Sequence, residues 1–293
     1  MASYNNLIHQ YRKEFINKGL SPEVVKAFLF ELCNEENVDL YFDIDKEVNE
    51  KVLEKFNKGI IRIMNEEPMN YVLGYSYFFG YKLNVNKDVL IPRPETEELV
   101  GLILSKYDEY YKGKKVNLCD VGTGSGGIAI ALCKEEPNLN VVASDISEPA
   151  LAVARKNAEE NKANIKFICG SMLEPYMDLG IKFDILVSNP PYIKNDEILE
   201  TSVVDFEPHV ALFGGDDGLK FYRQIFESAK KIMAEKGLLF FEMGYDQRQN
   251  LTNLASQYFE NAEIEVFKDI NGKDRMLMIK MWAFSHIYHN VML

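Results

Sequence analysis

The stretch Phe-Asp-Ile-Leu-Val-Ser-Asn-Pro-Pro-Tyr, residues 183–192, decides the fold prediction for the whole chain. Its first half, residues 183–187, is short, largely apolar and β-branched, which predicts a buried parallel strand. Two consecutive prolines cannot continue a strand, because each lacks an N–H and holds φ near −65°. The strand is therefore predicted to end at Asn189. In open α/β sheets, ligands bind at this carboxyl edge.

The turn after this strand carries groups suited to a planar amino group. The Asn189 side chain offers a donor and an acceptor, and the Pro190 carbonyl offers a second, fixed acceptor. The ring of Tyr192 adds a flat face for stacking. Such a site suits an –NH2 group, either on an amide or on a base.

Strand and helix patterns alternate from Val116 onward, which predicts a parallel α/β sheet. A glycine-rich turn, residues 122–127, follows the strand at 116–121, and Asp145 follows the next strand at 140–144. Glycines permit positive φ and close approach of a ligand to the backbone. An acidic residue at the position of Asp145 can accept hydrogen bonds from ribose hydroxyls. The remaining strands are predicted at 165–168, 183–187, 238–241, 264–267 and 276–281, with helices at 219–234 and 247–259.

The glycine turn by itself also fits dinucleotide enzymes. Asp120 precedes the glycines as Asp-Val-Gly-Thr-Gly, a pattern that resembles methyltransferases, whereas the NAD fingerprint usually has apolar residues there. The Asn-Pro-Pro-Tyr turn is useful beside a methyl donor and has no obvious role in hydride transfer. These two details favour S-adenosylmethionine over NAD.

The chain before the sheet predicts two further segments. Residues 1–75 show helical periodicity and predict a small helical domain, in which Asp45 is the expected N-cap of the third helix. Residues 76–95 predict a hairpin linker, because aromatic and β-branched residues flank a glycine. The catalytic domain is predicted to span residues 96–293. At the end of the linker, Arg93 and Glu95 lie in a stiff Pro-Arg-Pro-Glu segment that is either part of the site or a plain helix lead-in.

Composition bounds the function classes. The chain of 293 residues has 33 basic and 45 acidic residues, a net charge of −12, and shows no dense basic run, which lowers the expectation of a nucleic-acid substrate. The sequence contains no apolar run of about 18 residues, so it predicts no membrane span. The four scattered cysteines predict mostly buried, reduced thiols, a cytoplasmic location and no metal site.

Three features receive a plain structural interpretation or none. Residues 214–218, Gly-Gly-Asp-Asp-Gly, are interpreted as a flexible loop and N-cap, and His209 as a structural histidine. No function is assigned to residues 283–293.

Several motifs together resemble one family. These are Asp-Val-Gly-Thr-Gly-Ser-Gly, Asn-Pro-Pro-Tyr, Ile-Pro-Arg-Pro-Glu-Thr-Glu, Asp-Phe-Glu-Pro and Gly-Gly-Asp-Asp-Gly-Leu. The sequence resembles the bacterial peptide chain release factor glutamine N5-methyltransferases, the PrmC/HemK family. The resemblance implies a class I S-adenosylmethionine-dependent methyltransferase, with a Rossmann-like, seven-stranded, mostly parallel sheet and a small N-terminal helical domain that helps to bind the release factor.

The resemblance also implies roles for individual residues. The methionine part of the cofactor would be cradled by Gly122, Thr123, Gly124, Ser125 and Gly126. The ribose would be held by Asp145, the adenine would be flanked by Ser171 and Met172, and Asn189 would also contact the cofactor. Many relatives have an acidic residue where this chain has Ser171. The substrate would contact Asn189, Pro190, Pro191, Tyr192, Arg93 and Glu95, of which Asn189, Pro190 and Tyr192 are the predicted catalytic residues.

The implied reaction is methyl transfer to the glutamine of the Gly-Gly-Gln motif in peptide chain release factors, with S-adenosyl-L-homocysteine as product. Two other hypotheses stay open. One is a methyltransferase for amino groups of nucleic acids (adenine N6 or guanine N2), and the other is a non-catalytic cofactor-binding module. A cytoplasmic monomer without direct nucleic-acid or membrane contact is expected.

Overall fold

A computed structural model describes residues 3–282 of the chain, so the segment 283–293 lies outside the described residues. The chain divides into two compact units: residues up to 74 together with 199–206, and residues 75–198 together with those from 207 onward. The hairpin segment belongs to the second unit. The predicted functional domains, with boundaries at residues 75 and 95, stay a prediction.

The named elements of the first unit are all helices, whereas helices and strands alternate in the second unit. The helices are α1 (Tyr4–Asn17), α2 (Glu23–Glu35), α3 (Glu50–Met64), α4 (Met69–Leu73), α5 (Pro94–Tyr110), α6 (Gly127–Glu135), α7 (Glu148–Glu160), α8 (Glu174–Met177), α9 (Thr201–Phe206), α10 (Lys220–Ile232) and α11 (Arg248–Tyr258). The strands are β1 (Tyr75–Phe78), β2 (Tyr81–Asn84), β3 (Val116–Val121), β4 (Leu139–Asp145), β5 (Lys166–Cys169), β6 (Phe183–Ser188), β7 (Met233–Glu242), β8 (Glu263–Lys268) and β9 (Asp274–Lys280).

In the first unit, one predicted helix start is wrong. The α3 helix begins at Glu50, and its N-cap is Asn49 rather than Asp45. The Asn49 side chain accepts hydrogen bonds from the N–H groups of Lys51 (2.9 Å) and Val52 (3.4 Å). Asn49 directly precedes the amphipathic run, so its side chain can reach the free N–H groups of the first turn.

The sheet of the second unit has the strand order β5-β4-β3-β6-β7-β9-β8. All neighbouring pairs from β5 to β7 are parallel, whereas β9 is antiparallel to both β7 and β8. The predicted seven-stranded, mostly parallel sheet is confirmed. The strands that follow β3 along the chain, β4 and β5, extend the sheet to one side, while β6 begins the other side. The boundary between β3 and β6 is therefore the switch point at which such sheets bind ligands.

Apolar side chains cover both faces of the sheet. One buried cluster joins α5 and α6 to the sheet and includes Ile103, Ala129 and Val187. The other joins α10 and α11 and includes Phe226, Leu251 and Leu186. Adjacent residues of β6, Leu186 and Val187, thus pack into opposite clusters, as the strand period of two requires.

Two sequence-based expectations need adjustment. The segment Pro-Arg-Pro-Glu is predicted to lead into a helix from residue 97 to about 107, but the α5 helix already begins at Pro94, because proline suits the first helical position, where no N–H is needed. The expectation of buried cysteines is correct for Cys33 and Cys119, but Cys133 is only partly buried and Cys169 is exposed at the end of the outer strand β5. No helix within residues 3–282 is long and apolar enough to cross a membrane.

Candidate active site

A cavity of about 370 Å³ lies in the second unit, lined by the turns that follow β3, β4, β5 and β6 and by part of the 88–96 segment. This volume is within the usual range for small-molecule sites. The strand register accounts for the position of the cavity, since Val121, the last residue of β3, pairs with Ser188, the last residue of β6. The glycine turn and the Asn-Pro-Pro-Tyr turn therefore begin side by side.

The Asn-Pro-Pro-Tyr turn contributes three of its four residues to the cavity wall, namely Asn189, Pro190 and Pro191. The Asn189 Nδ2 group donates to Thr96 Oγ1 at 3.2 Å. Neither Asn189 Oδ1 nor the Pro190 carbonyl accepts a hydrogen bond from any residue between 3 and 282. These two acceptors are therefore available to a ligand.

Tyr192 does not line the cavity. Its hydroxyl donates to Glu242 Oε1 at 3.3 Å, and burial together with the nearby Glu242 charge holds its pKa far above the usual value. The predicted stacking face of Tyr192 is thus turned toward protein in this structure. Its side chain contacts Glu242 behind the cavity wall.

The glycine turn contributes Gly122, Thr123, Gly124 and Ser125 to the wall. Gly122 and Gly124 have φ of +76° and +54°, and an added Cβ on either would meet no atom within 4 Å. Positive φ and open space in front of the backbone leave room for a ligand to approach closely. Gly126, also predicted to bind the cofactor, caps α6 instead, and a Cβ there would lie 3.2 Å from that of Ala154.

Asp145 lines the cavity at the end of β4 and is fixed by two backbone donors. Its Oδ2 accepts from the Gly124 N–H and its Oδ1 from the Ser147 N–H, both at 2.9 Å. Burial raises the pKa of this carboxyl group, and the two N–H donors oppose that rise. Each oxygen retains a lone pair that can accept from a hydroxyl group.

Asp120 lies beneath the glycine turn and is fully buried. Its Oδ2 accepts from the Thr123 hydroxyl at 2.6 Å, whereas Oδ1 has no partner among the described residues. Burial raises the pKa of Asp120 to about 7, with a further contribution from the Asp145 charge. The turn is therefore attached to a buried acid that is costly to ionise.

The segment after β5 places both Ser171 and Met172 in the cavity wall. The Gly170 N–H donates to the Asp145 carbonyl at 3.0 Å, which anchors the start of this segment. Met172 has φ of +45°, an uncommon conformation for a residue with a side chain.

Of the two predicted linker residues, Arg93 lines the cavity and Glu95 does not. Arg93 is ion-paired with Glu207, whose carboxylate also accepts from the Ile91 N–H at 3.2 Å. Glu207 is buried. It belongs to the Asp-Phe-Glu-Pro motif, so this motif anchors the 91–93 segment, a contact that the sequence pattern did not predict.

The Gly-Gly-Asp-Asp-Gly segment has a more specific role than the predicted flexible loop. The Gly214 N–H donates to the Ile193 carbonyl at 2.7 Å, directly after the Asn-Pro-Pro-Tyr turn. A Cβ on Gly214 would lie 2.5 Å from the Pro191 carbonyl oxygen and 2.9 Å from Tyr192 Cα. Gln247 adds a bridge, donating to the carbonyls of Tyr192 (3.1 Å) and Gly218 (3.2 Å). The segment thus packs against the backbone of the substrate turn.

The sequence patterns did not predict two further residues beside the site. Thr96 lies within the quoted Pro-Arg-Pro-Glu-Thr-Glu motif, and Glu242 ends the apolar strand β7. Both are buried, and the Thr96 hydroxyl donates to Glu242 Oε2 at 2.6 Å. Glu242 could have been predicted, because it is an acidic residue at the carboxyl end of a buried strand, the same kind of position as Asp145.

The sequence is similar to known methyltransferases. Residues 101–206 match the family model of the methyltransferase small domain. The release factor glutamine methyltransferase of Bacillus subtilis is 43% identical over 245 residues, covering 83% of this chain and 85% of that protein. The protein of the same name from Staphylococcus aureus is 35% identical over 282 residues, covering 96% of this chain and 100% of that protein.

The fold also recurs among solved structures. A methyltransferase from Pyrococcus furiosus aligns with a TM-score of 0.52 at 18% identity, covering 76% of this chain and 98% of that one. At this identity the likeness concerns the fold, whereas the identity to the curated relatives extends over most of both chains. The chain therefore belongs to the release factor glutamine methyltransferase family and has the sheet of a class I methyltransferase.

Proposed function

We propose that this protein transfers the methyl group of S-adenosyl-L-methionine to the side-chain amide nitrogen (N5) of the glutamine in the Gly-Gly-Gln motif of peptide chain release factors. The observation that carries the proposal is the pair of available acceptors, Asn189 Oδ1 and the Pro190 carbonyl, on a cavity shared with the glycine turn. The names of the relatives support the choice of substrate.

The cavity fits the cofactor. Gly122 and Gly124 leave open space beside their backbone, where a methionine moiety can lie. The fixed carboxylate of Asp145 can accept from the ribose hydroxyls, and Ile146 and Met172 provide apolar surface for the adenine. When bound, S-adenosyl-L-methionine supplies a methyl group on a positively charged sulfur, and S-adenosyl-L-homocysteine is left as product.

The substrate amide needs orientation more than it needs a base. An amide nitrogen is a poor nucleophile because its lone pair is delocalised into the carbonyl. Asn189 Oδ1 and the Pro190 carbonyl would accept its two N–H bonds, which fixes the rotation of the amide and directs the lone pair. Such positioning is worth effective molarities of about 10⁵–10⁸ M.

The proton balance also favours this site. Once the new N–C bond has formed, the nitrogen carries a positive charge and its proton is acidic. That proton can pass to water, so the reaction requires no buried general base. Arg93 and Pro191, on the cavity wall, are the further proposed substrate contacts, whereas Tyr192 enters the proposal as a support of the turn.

The test is mass spectrometry of a purified release factor after incubation with the enzyme and S-adenosyl-L-methionine. We expect the mass of one methyl group on the Gly-Gly-Gln glutamine. DNA and RNA are incubated in parallel, and methyl transfer only to these would favour the nucleic-acid hypothesis. Cofactor binding without transfer to any of the three would favour the non-catalytic module.

A matched variant tests the role of the turn. Asn189→Ala should reduce transfer by at least about 10²-fold, the usual cost of losing one oriented hydrogen-bonding group at a reacting centre. Calorimetric binding of S-adenosyl-L-methionine should persist. Retention of the wild-type rate would exclude the proposed role of Asn189.

The proposed partner, oligomeric state and location complete this function. The partner is the release factor protein without direct nucleic-acid contact, and the enzyme acts as a monomer in the cytoplasm. Light scattering of the purified enzyme tests the monomer, and a mass near twice 33.7 kDa would contradict it.

A further inference from the structure

We propose that Thr96 and Glu242 are positioning residues that determine which end of the Asn189 amide is presented to the cavity. The inference concerns the geometry of Asn189, and its catalytic meaning rests on the function proposed above.

Three side chains form a hydrogen-bonded series whose two inner members, Thr96 and Glu242, are buried. Asn189 Nδ2 lies 3.2 Å from Thr96 Oγ1, and Thr96 Oγ1 lies 2.6 Å from Glu242 Oε2. Thr96 is 5% exposed and Glu242 is 2% exposed. Since water is excluded from the inner end of the series, Thr96 and Glu242 must find their hydrogen-bonding partners within the protein.

The second Glu242 oxygen fixes the state of the carboxyl group. Oε1 accepts from the Tyr192 hydroxyl at 3.3 Å, while Oε2 accepts from Thr96. Burial raises the pKa of Glu242, whereas hydrogen bonds from Thr96, Tyr192 and Asn189 and the positive charge of Arg275 lower it. Arg275 is itself held by Asp269 at 3.3 Å. A hydroxyl group at each oxygen and the nearby Arg275 charge match an ionised carboxylate, which has no proton to donate.

Glu242 determines the direction of the Thr96 hydroxyl proton, and Thr96 in turn determines the orientation of the Asn189 amide. Because Glu242 can only accept, the single proton of the Thr96 hydroxyl must point toward Glu242. The Thr96 oxygen is left with lone pairs alone, so the group facing it must be a donor. Asn189 has one donor group, its –NH2, and this group therefore turns toward Thr96.

The consequence concerns the other end of the amide. With –NH2 held by Thr96, Asn189 Oδ1 is the end available to the cavity, as the amide-binding role requires. A flipped Asn189 would present –NH2 to a substrate –NH2 and could accept nothing from it. The two orientations of an isolated Asn side chain have nearly the same shape, so its hydrogen bonds to Thr96 and Glu242 distinguish them.

The variants separate polarity from shape. Thr96→Val keeps the branched shape but removes the hydroxyl, and Thr96→Ser restores the hydroxyl without the methyl group. Glu242→Gln can donate as well as accept, so the direction of the Thr96 proton is no longer imposed. Tyr222→Phe is the matched control, because the Tyr222 hydroxyl is buried and donates at 2.7 Å to the backbone carbonyl of Glu242, not to its carboxylate.

The first readout does not depend on activity. In isotope-labelled enzyme, the side-chain amide resonances of Asn189 are identified by their loss in Asn189→Ala. We expect protected, slowly exchanging –NH2 protons in the wild type, Thr96→Ser and Tyr222→Phe. In Thr96→Val and Glu242→Gln we expect exchange at least about tenfold faster, since a net hydrogen bond of about 1.5 kcal/mol corresponds to this factor.

The second readout is single-turnover methylation of the release factor at saturating cofactor. Thr96→Val and Glu242→Gln should lower the single-turnover rate constant by about 10–10²-fold, with the affinity for S-adenosyl-L-methionine changed less than threefold, because orientation and not binding is lost. Thr96→Ser and Tyr222→Phe should stay within about threefold of the wild type. A merely structural role would instead make Tyr222→Phe as harmful as Thr96→Val.

The outcomes are distinguishable. Unchanged amide exchange and an unchanged single-turnover rate constant in folded Thr96→Val would overturn the positioning role. A wild type that fails to methylate release factors would refute the proposed function, while the amide exchange of the variants would still decide whether Thr96 and Glu242 orient Asn189.

Discussion

Gly214→Ala tests whether the Gly-Gly-Asp-Asp-Gly segment positions the substrate turn. The added Cβ would lie 2.5 Å from the Pro191 carbonyl oxygen, a backbone atom that no side-chain rotation can move. To reach 3.4 Å, the beginning of ordinary contact, the two segments must separate by about 0.9 Å. Displacements near 1 Å in a catalytic group cost about 10²-fold in rate, so we expect the single-turnover rate constant to fall by about 10–10²-fold.

The same collision should reduce stability. Overpacking of this kind costs about 1–3 kcal/mol in the free energy of unfolding, which for a protein of this size lowers Tm by roughly 2–4 °C per kcal/mol. Cofactor affinity should change less than about threefold, because the glycine turn and Asp145 lie outside the collision.

The assay is single-turnover methylation combined with thermal unfolding, and Gly101→Ala is the matched control. Gly101 lies in α5, where an added Cβ meets no atom within 4 Å. This control should keep the wild-type rate and gain up to about 1 kcal/mol from helix propensity. A Gly214→Ala enzyme with wild-type rate and Tm would refute the packing argument, and a similar loss in both variants would show that the substitution itself is the cause.

Two other predictions concern Asp120 and Gly124, in and beneath the glycine turn. Burial raises the pKa of Asp120 from 3.8 to about 7, so its contribution to the free energy of unfolding is complete below about pH 4 and is lost as the pH rises through 7. Asp120→Asn does not ionise and should therefore gain stability relative to the wild type across this window. The gain should be on the order of 4 kcal/mol at about pH 8. Denaturant unfolding at several pH values measures this gain, and parallel pH profiles for the two proteins would contradict it. Gly124→Ala places a side chain at φ of +54°, which costs about 1–2 kcal/mol, and puts a methyl group into the cavity beside Asp145. Calorimetry should show at least tenfold weaker binding of S-adenosyl-L-methionine, and an unchanged Kd would exclude the predicted role of the turn.

The sequence by itself determined the local elements. The apolar run before Asn189, the prolines after it and the glycines after Val121 each specify a strand, a stop or a turn through rules that act over a few residues. Helix starts were less certain, because several capping residues stand close together. Asp45 and Asn49 are both good caps, and only the position of the packed helix selects Asn49.

The tertiary structure decided which distant residues meet. Nothing near Asn189 in sequence indicates that its amide is oriented by Thr96 and Glu242, which lie 93 and 53 positions away. The same holds for Gly214, whose missing side chain is explained only by the Pro191 carbonyl beside it. Propensity and periodicity report on neighbours along the chain, whereas hydrogen-bond polarity and steric fit at this site arise from strands and loops brought together by the order of the sheet.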